Sequence, residues 1–385
     1  MRERELDKIV HFIREIYGVN NETIYLHEPR FNGNEKKYLL ECIDSTFVSS
    51  VGKFVTQFEN MLSDFTGTKY AIAAANGTSA LHIALLLCNV RPEDEVITQA
   101  LTFIATANAI SYTGAKPIFV DVDLDTLGLS PNALKQFLVH NSFQKDGYCF
   151  NRLTGKRIKA CVPMHTFGHP CRIDEIVAIC KLHNIEVVED AAESLGSYYK
   201  GRHTGTFGKV GIISFNGNKT ITTGGGGMIL TDDPELGTLA KHLTTTAKLP
   251  HKWEFVHDRI GYNYRLTNLA AALGCAQMEE LPEILTNKRN LAISYMDFFK
   301  EIGIDFFKEP KNSISNYWLN TLILKNLTEK EELLEYLNKK NIMVRPVWKL
   351  MSRLEMYKNC ICGTLIHTEW LSDRIINLPS SITIL

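Results

Sequence analysis

Lys219 closes the stretch Ser214-Phe215-Asn216-Gly217-Asn218-Lys219, after the apolar run VGIISFN and before Thr-Ile-Thr-Thr and four glycines, Gly224 to Gly227. A lysine in a loop is ordinarily a solvated surface charge. This one follows an apolar strand and precedes glycines, where a wide cofactor could approach the backbone closely. A lysine amine can form a Schiff base, and partial burial lowers its pKa so that it acts as nucleophile and proton shuttle. Glycine runs also occur in linkers, but the strand-like runs on each side, VGIISFN and MILTDD, argue against one.

Asp190 ends another apolar run, in VVEDAAES. A carboxylate at the mouth of a buried strand caps a helix or serves a ligand. A pyridinium nitrogen is one group that would want it, because the carboxylate keeps that nitrogen protonated and the ring electron-withdrawing. Glu189 and Glu193, its neighbours, read by themselves as solvated or structural. Asn76-Gly77-Thr78-Ser79-Ala80 lies between a strand and a helix, where exposed N–H groups and the helix dipole favour an anion. A helix capped by Thr78 or Ser79 explains the same residues and is the better reading of the motif alone. Gly261-Tyr262-Asn263-Tyr264-Arg265-Leu266-Thr267 is dense in hydrogen-bonding groups; alone, it reads as a turn with aromatic packing.

The elements that must position these residues are strands and helices in alternation. KYAIAAAN, DEVITQA, AKPIFVDVD, KACVPMHTFG, IEVVEDAAE and VGIISFN are short β-rich runs, and helical stretches such as SALHIALLLC follow several of them. The pattern predicts a mainly parallel sheet covered on both faces, with ligands beyond the carboxyl ends of its strands. Before it, residues 1–17 read as an amphipathic helix with Leu6, Ile9, Val10, Ile13 and Ile16 at helical spacing. Asn20 to Gly33 reads as an arm. After an aromatic loop from about Leu249 to Arg265 come a long helix (about Asn268 to Lys300), the strands YWLNTLILK and IMVRPV, and a helix beginning near Thr328. The expected division is a helix and arm over 1–33, a large domain over 34–255 and a small C-terminal domain over 256–385.

Length and composition agree with two domains: 385 residues, 45% hydrophobic and 22% charged, the profile of a soluble globular enzyme. Lys plus Arg number 42 against 43 Asp plus Glu, which gives no long-range field for gripping nucleic acid. No apolar run approaches the roughly 20 residues of a membrane helix. The nine scattered cysteines lack zinc spacing, and the start, MRERELDKIV, lacks a signal peptide's apolar core. A cytoplasmic protein with reduced thiols and no metal is the expectation.

In combination, the segments resemble the DegT/DnrJ/EryC1/StrS family of sugar aminotransferases. The likeness extends through FVSSVGKFVTQFENMLSDFTGTKYAIAAANGTSALH, TFIATANAISYTGAKPIFVDVD, VPMHTFGHP and GYNYRLTNLAAALGCAQME, from about Leu26 to Leu378. The opening LHEPRFNGNEKKYLLECIDSTFVSSVGKF and the late INLPSS resemble the narrower legionaminic-acid and bacillosamine branch. The resemblance implies an α/β chain of the pyridoxal-phosphate fold type I, with a large mainly parallel-sheet domain and a smaller C-terminal α/β domain. It implies transfer of an amino group, with L-glutamate as donor, to C4 of a UDP- or GDP-linked 4-keto-6-deoxy-N-acetylhexosamine, for amino-sugar, nonulosonic acid or glycan biosynthesis. Pyridoxal 5′-phosphate is the implied cofactor, with pyridoxamine 5′-phosphate as its intermediate form.

Carried over residue by residue, the resemblance has Lys219 hold the cofactor aldehyde and Asp190 pair with the pyridine nitrogen. Phe103 would stack on the ring, with core packing as the alternative. Thr78, Ser79 and Ser214 would hold the phosphate, and Asn263 would reach the phosphate of a neighbouring subunit, so a homodimer is the minimal active unit. His165 falls near the expected sugar site, where a satisfied structural histidine is the competing reading. Glu193 stands where many relatives carry His or Gln, and would tune substrate choice or contacts to the cofactor hydroxyl. Dehydratases of the same family replace the lysine with histidine, and a non-catalytic homologue would have lost Lys219 or Asp190; both are present. An unrelated nucleotide-binding enzyme is disfavoured, since no G-x-G-x-x-G or Walker motif follows the first strands.

Overall fold

The computed structural model describes residues 3–383. The apolar runs form one seven-stranded sheet: β1 (Tyr70–Ala74), β2 (Glu95–Gln99), β3 (Lys116–Val120), β4 (Ile158–Val162), β5 (Glu186–Asp190), β6 (Val210–Ser214) and β7 (Gly227–Thr231), in the order β1-β7-β6-β5-β4-β2-β3. Only β7 runs against its neighbours, β1 and β6; the other pairs are parallel. β2, β4 and β6 are buried at every position, as strands covered on both faces must be.

Helices α1 (Glu3–Tyr17), α2 (Glu35–Asp44) and α3 (Lys53–Thr66) precede the sheet, and α4 (Gly77–Leu87), α5 (Ile104–Tyr112), α6 (Pro131–Asn141), α7 (Ile173–Leu182) and α8 (Pro234–Thr244) follow its strands. Successive side chains of β6 show how both faces are filled. Ile212 joins a cluster with Leu81, Ile83 and Val188, while Ile213 joins Phe58, Leu62 and Cys275 on the other face. Each such isoleucine contributes about 1.5–3 kcal/mol by leaving water.

The long helix α9 (Asn268–Glu301) begins where the Thr267 hydroxyl accepts the Ala270 N–H at 3.2 Å. Its first half packs Ala271, Cys275 and Leu281 against α3 and the large sheet. Its second half packs Leu291, Tyr295 and Phe299 against Leu6, Ile9 and Ile13 of α1 and against a second sheet. That sheet is antiparallel: β8 (Asp305–Phe306), β9 (Asn320–Ile323), β10 (Arg345–Pro346) and β11 (Ile375–Leu378), in the order β8-β9-β11-β10. Helices α10 (Leu327–Lys339) and α11 (Ile366–Ser372) complete this part. The helical face read at the N-terminus is therefore buried in a cluster with C-terminal residues.

The structure adds a hairpin, Ser142–Lys145 with Tyr148–Asn151, that the strand-and-helix pattern does not predict. Its turn is Asp146-Gly147, both at positive φ, the pair that two-residue hairpin turns favour. No described helix is long and apolar enough to cross a membrane. All nine cysteines are free, and no group of metal-ligating side chains occurs among the described residues.

The two sheets are tied by a short strap ahead of β9. Asn316 Nδ2 donates to the carbonyls of Glu193 and Leu195, each at 2.9 Å, and its Oδ1 accepts the Trp318 N–H at 2.8 Å. Ser315 Oγ donates to the Gly168 carbonyl at 3.0 Å. Gly168 has φ of +95°, and a Cβ there would lie 1.8 Å from Asn316 Oδ1. Gly168→Ala should therefore cost about 3 kcal/mol or more through backbone strain and the clash. A fall in the denaturation midpoint measures it, and an unchanged midpoint would show that the strap yields without loss.

Candidate active site

The carboxyl ends of β5 and β6 open beside the start of α4 onto a cavity of about 230 Å³. Thr78, Phe103, Asp190, Glu193, Ser214 and Lys219 all line it. Asp190 is the last residue of β5, and Ile212 of β6 pairs with it, so the loop that leaves β6 emerges beside the carboxylate. That loop turns where the Lys219 N–H donates to the Asn216 carbonyl at 3.0 Å.

Asp190 is buried, with Oδ2 accepting the Thr106 hydroxyl at 2.7 Å and Oδ1 accepting the Ala192 N–H at 3.2 Å. Burial pushes its pKa up, while these bonds and the charge of Lys219 pull it down. Glu193 is also buried. Its Oε2 accepts the Phe167 N–H at 2.9 Å, and Lys219 Nζ lies 3.2 Å from its Oε1. Burial pushes Glu193 up to about 7, against the opposing effects of Lys219 and the Phe167 bond. The Lys219 side chain is only 12% exposed, and its Nζ sits 4.0 Å from the centre of the Trp318 ring. The Trp318 indole N–H donates to the Asn218 carbonyl at 2.7 Å, anchoring the ring to the lysine's own loop.

The start of α4 corrects the capping expected at Thr78 or Ser79. Asn76 is the cap: its side chain accepts the Ser79 N–H at 2.8 Å. Thr78 and Ser79 fall in the first helical turn, and the Gly77 and Thr78 N–H groups have no acceptor within the helix. A Cβ on Gly77 would lie 2.8 Å from Ser214 Cβ, so glycine lets the helix start rest against the end of β6. The glycine run does not line the cavity as expected; a Cβ on Gly227 would meet the Asn76 carbonyl at 2.5 Å, so that glycine admits a neighbouring backbone.

Phe103 precedes α5, is 44% exposed, and has its ring centre 5.9 Å from that of Trp348. The structure does not bring the His165 side chain to the cavity. It is fully buried, with Nε2 3.1 Å from Glu189 Oε2 and Nδ1 accepting the Cys171 N–H at 3.2 Å. Glu189 also accepts the Gly205 and Gly208 N–H groups, so the imidazole is held in a packing network. Asn263 is exposed and lies off the cavity, its backbone bridged to Thr245. Thr106 and Trp318 were missed in the sequence. Thr106 stands three residues after Phe103 in TFIAT, a motif that carried the resemblance, whereas nothing local marks Trp318, 100 residues from its partner Asn218.

The donor set fits pyridoxal phosphate: an amine for its aldehyde, a buried carboxylate for its ring nitrogen, and helix-start N–H groups with hydroxyls for its phosphate.

A family model described as "DegT/DnrJ/EryC1/StrS aminotransferase family" matches residues 29–384. The chain is 40% identical over 357 residues to a GDP-perosamine synthase of Escherichia coli O157:H7, covering 93% of each protein. It is 36% identical to a GDP-perosamine synthase of Caulobacter vibrioides, covering 91% of each. Among solved structures, Helicobacter pylori PseC, an aminotransferase involved in the biosynthesis of pseudoaminic acid, superposes with a TM-score of 0.84 at 26% identity. The alignment covers 93% of this chain and 94% of that one.

Glu193 makes stability depend on pH. An unfolded glutamate loses its proton near 4.5, whereas the folded chain keeps it up to about 7. Between those values the folded state binds more protons, so stability falls as pH rises from about 4.5 to about 7. Denaturation of the cofactor-free protein across that window should show a shallower fall for Glu193→Gln than for the native chain. Equal slopes would mean that the burial of Glu193 does not control this dependence.

Proposed function

The chain belongs to the DegT/DnrJ/EryC1/StrS aminotransferase family, and from that premise we propose that it moves an amino group from L-glutamate to C4 of a nucleotide-linked 4-keto-6-deoxy sugar. It is a pyridoxal-phosphate-dependent nucleotide-sugar aminotransferase. The N-acetylhexosamine form of the sugar follows from the likeness to the legionaminic-acid and bacillosamine branch. Relatives named GDP-perosamine synthase favour GDP over UDP as the carrier. The product would serve amino-sugar, nonulosonic acid or glycan biosynthesis.

The observation that carries this reading is the convergence of Lys219, Asp190 and the first turn of α4 on one cavity. When bound, the cofactor supplies an aldehyde that condenses with amines and a ring that withdraws electrons from the donor's α-carbon. The chain's own residues do the rest. Lys219 Nζ would hold the aldehyde and, as a free amine, would carry a proton between the donor's α-carbon and the cofactor. Asp190 holds a proton on the ring nitrogen; as a buried carboxylate it gains most from a cationic partner. Thr78 and Ser214, with the Gly77 and Thr78 N–H groups, line the cavity and would hold the phosphate; Ser79, expected beside them, is buried and does not line it. Phe103, which lines the cavity, would cover one face of the ring.

A homodimer completes the proposed site. Trp253, Phe255 and Ile260 are 74%, 79% and 82% exposed in the loop that leads to Asn263. Large apolar side chains so exposed favour a protein cover. A second copy placed there would receive Asn263 at its own phosphate site.

Lys219→Ala should abolish turnover and the visible absorbance of the cofactor-loaded protein; an unchanged spectrum would remove Lys219 from its role. Asp190→Asn should lower the rate by orders of magnitude while the fold persists, and full activity would reduce Asp190 to a cap. Incubating the enzyme with glutamate and a panel of GDP- and UDP-linked 4-keto-6-deoxy sugars should give an amine product with one carrier in preference. No product from any member of the panel would refute the proposed substrate class.

A further inference from the structure

Lys219 must present a neutral amine to an aldehyde, yet it lies beside a carboxylate, 3.2 Å from Glu193 Oε1. The Lys219 side chain is 12% exposed and that of Glu193 1%, and Oε1 is in hydrogen-bond reach of Nζ to receive a proton leaving it. The neighbouring groups narrow the choice. Asp190 has Oδ2 engaged by Thr106 and Oδ1 by the Ala192 N–H. His27, on the N-terminal arm, is near enough for the charge of Lys219 to depress its pKa. Its Nε2 is occupied by Lys288 Nζ at 2.9 Å, and burial together with the charges of Lys288 and Lys219 drives its pKa well down, which makes it a poor proton acceptor. Trp318 offers a ring face and no acceptor atom. Glu193 alone has one oxygen anchored, Oε2 on the Phe167 N–H, and the other turned to the amine.

We propose that Glu193 is a positioning residue that takes the proton shed by Lys219: the N–H bond at Nζ breaks, an O–H bond forms at Oε1, and nothing is exchanged with bulk water. This rests on Lys219 being the cofactor lysine, and it gives a function to a glutamate whose sequence neighbourhood reads as structural. Burial, which moves Glu193 up to about 7, makes the carboxyl able to keep that proton near neutral pH. The Phe167 bond fixes the carboxyl plane, and Phe167 itself is held at a φ of +56°, a conformation that costs a non-glycine residue about 1–3 kcal/mol.

The test is the pH dependence of Lys219 acetylation in the cofactor-free protein, read by mass spectrometry after brief exposure to acetic anhydride. Two groups that share a proton titrate as a pair. The native curve should therefore rise in two steps, the lower one reporting amine formed while Glu193 carries the proton. Glu193→Gln should give one step, with a midpoint at least about one pH unit below the native upper step, or roughly tenfold faster labelling at a pH below that midpoint. Glu193→Asp should restore two steps. A single-step native curve overturns the proposal even if the Gln variant fails to fold, and so do identical native and Gln curves. Because the labelling needs no bound cofactor, it separates this inference from the role of Lys219, which the absorbance of Lys219→Ala decides.

Discussion

The register between β5 and β6 is the constraint on which the site depends. Ile212 lies opposite Asp190, and β6 runs two residues further to Ser214, so the two parallel strands deliver a carboxylate and a lysine-bearing loop to one edge. Alternation does the sorting. Asp190 shares the face of Val188, toward α5, where Thr106 bonds it. Glu189, one residue earlier, points the other way and ties down the Gly205 and Gly208 N–H groups and His165. Two adjacent carboxylates thus take two roles through the twofold period of a strand. A slip of β5 by one residue would exchange them and turn Val187 and Val188 each toward the other's cluster, which makes the register strongly specified.

The second sheet is needed as well, because the lysine is not fixed by its own loop alone. Trp318 comes from the strap ahead of β9, covers Lys219 Nζ, and holds the Asn218 carbonyl. The strap is in turn fastened by Asn316 to the Glu193 and Leu195 carbonyls. The same turn beyond β5 that presents Glu193 to the lysine therefore also receives the small sheet through its backbone. A displacement of the strap would act on Lys219 from two sides.

This explains what could be read in the sequence and what could not. The strands were legible because both faces are buried, giving short apolar runs such as VGIISFN, and the strand ends then located Asp190 and Lys219. Asn76 was passed over as the cap because Thr78 and Ser79 are equally good capping types, and only the extended backbone at Asn76 (φ −167°, ψ 169°) distinguishes it. His165 stood in a motif of the resemblance, yet its ring direction depends on Glu189, 24 residues away. Trp318 and Asn316 act across the gap between two sheets, and no spacing rule reaches that far. The Asp146-Gly147 turn, by contrast, is a local signal that strand–helix alternation does not contain.

The cavity gathers groups that are costly to bury. Asp190 and Glu193 are both shifted upward by burial, and the N–H groups at the start of α4 have no acceptor in the helix. A ligand that brings a cationic ring nitrogen to the first and a phosphate to the last offsets these costs together, because each charge meets a preformed partner. Lys219 differs, since its ammonium is already paired with Glu193. On the proposed assignment the site would be organised for the cofactor's two ends before it arrives, with the amine between them held by Glu193. Any ligand that binds only the folded state also stabilises it. On that assignment, the unfavourable burial around the cavity would supply affinity for the cofactor and couple that affinity to the fold.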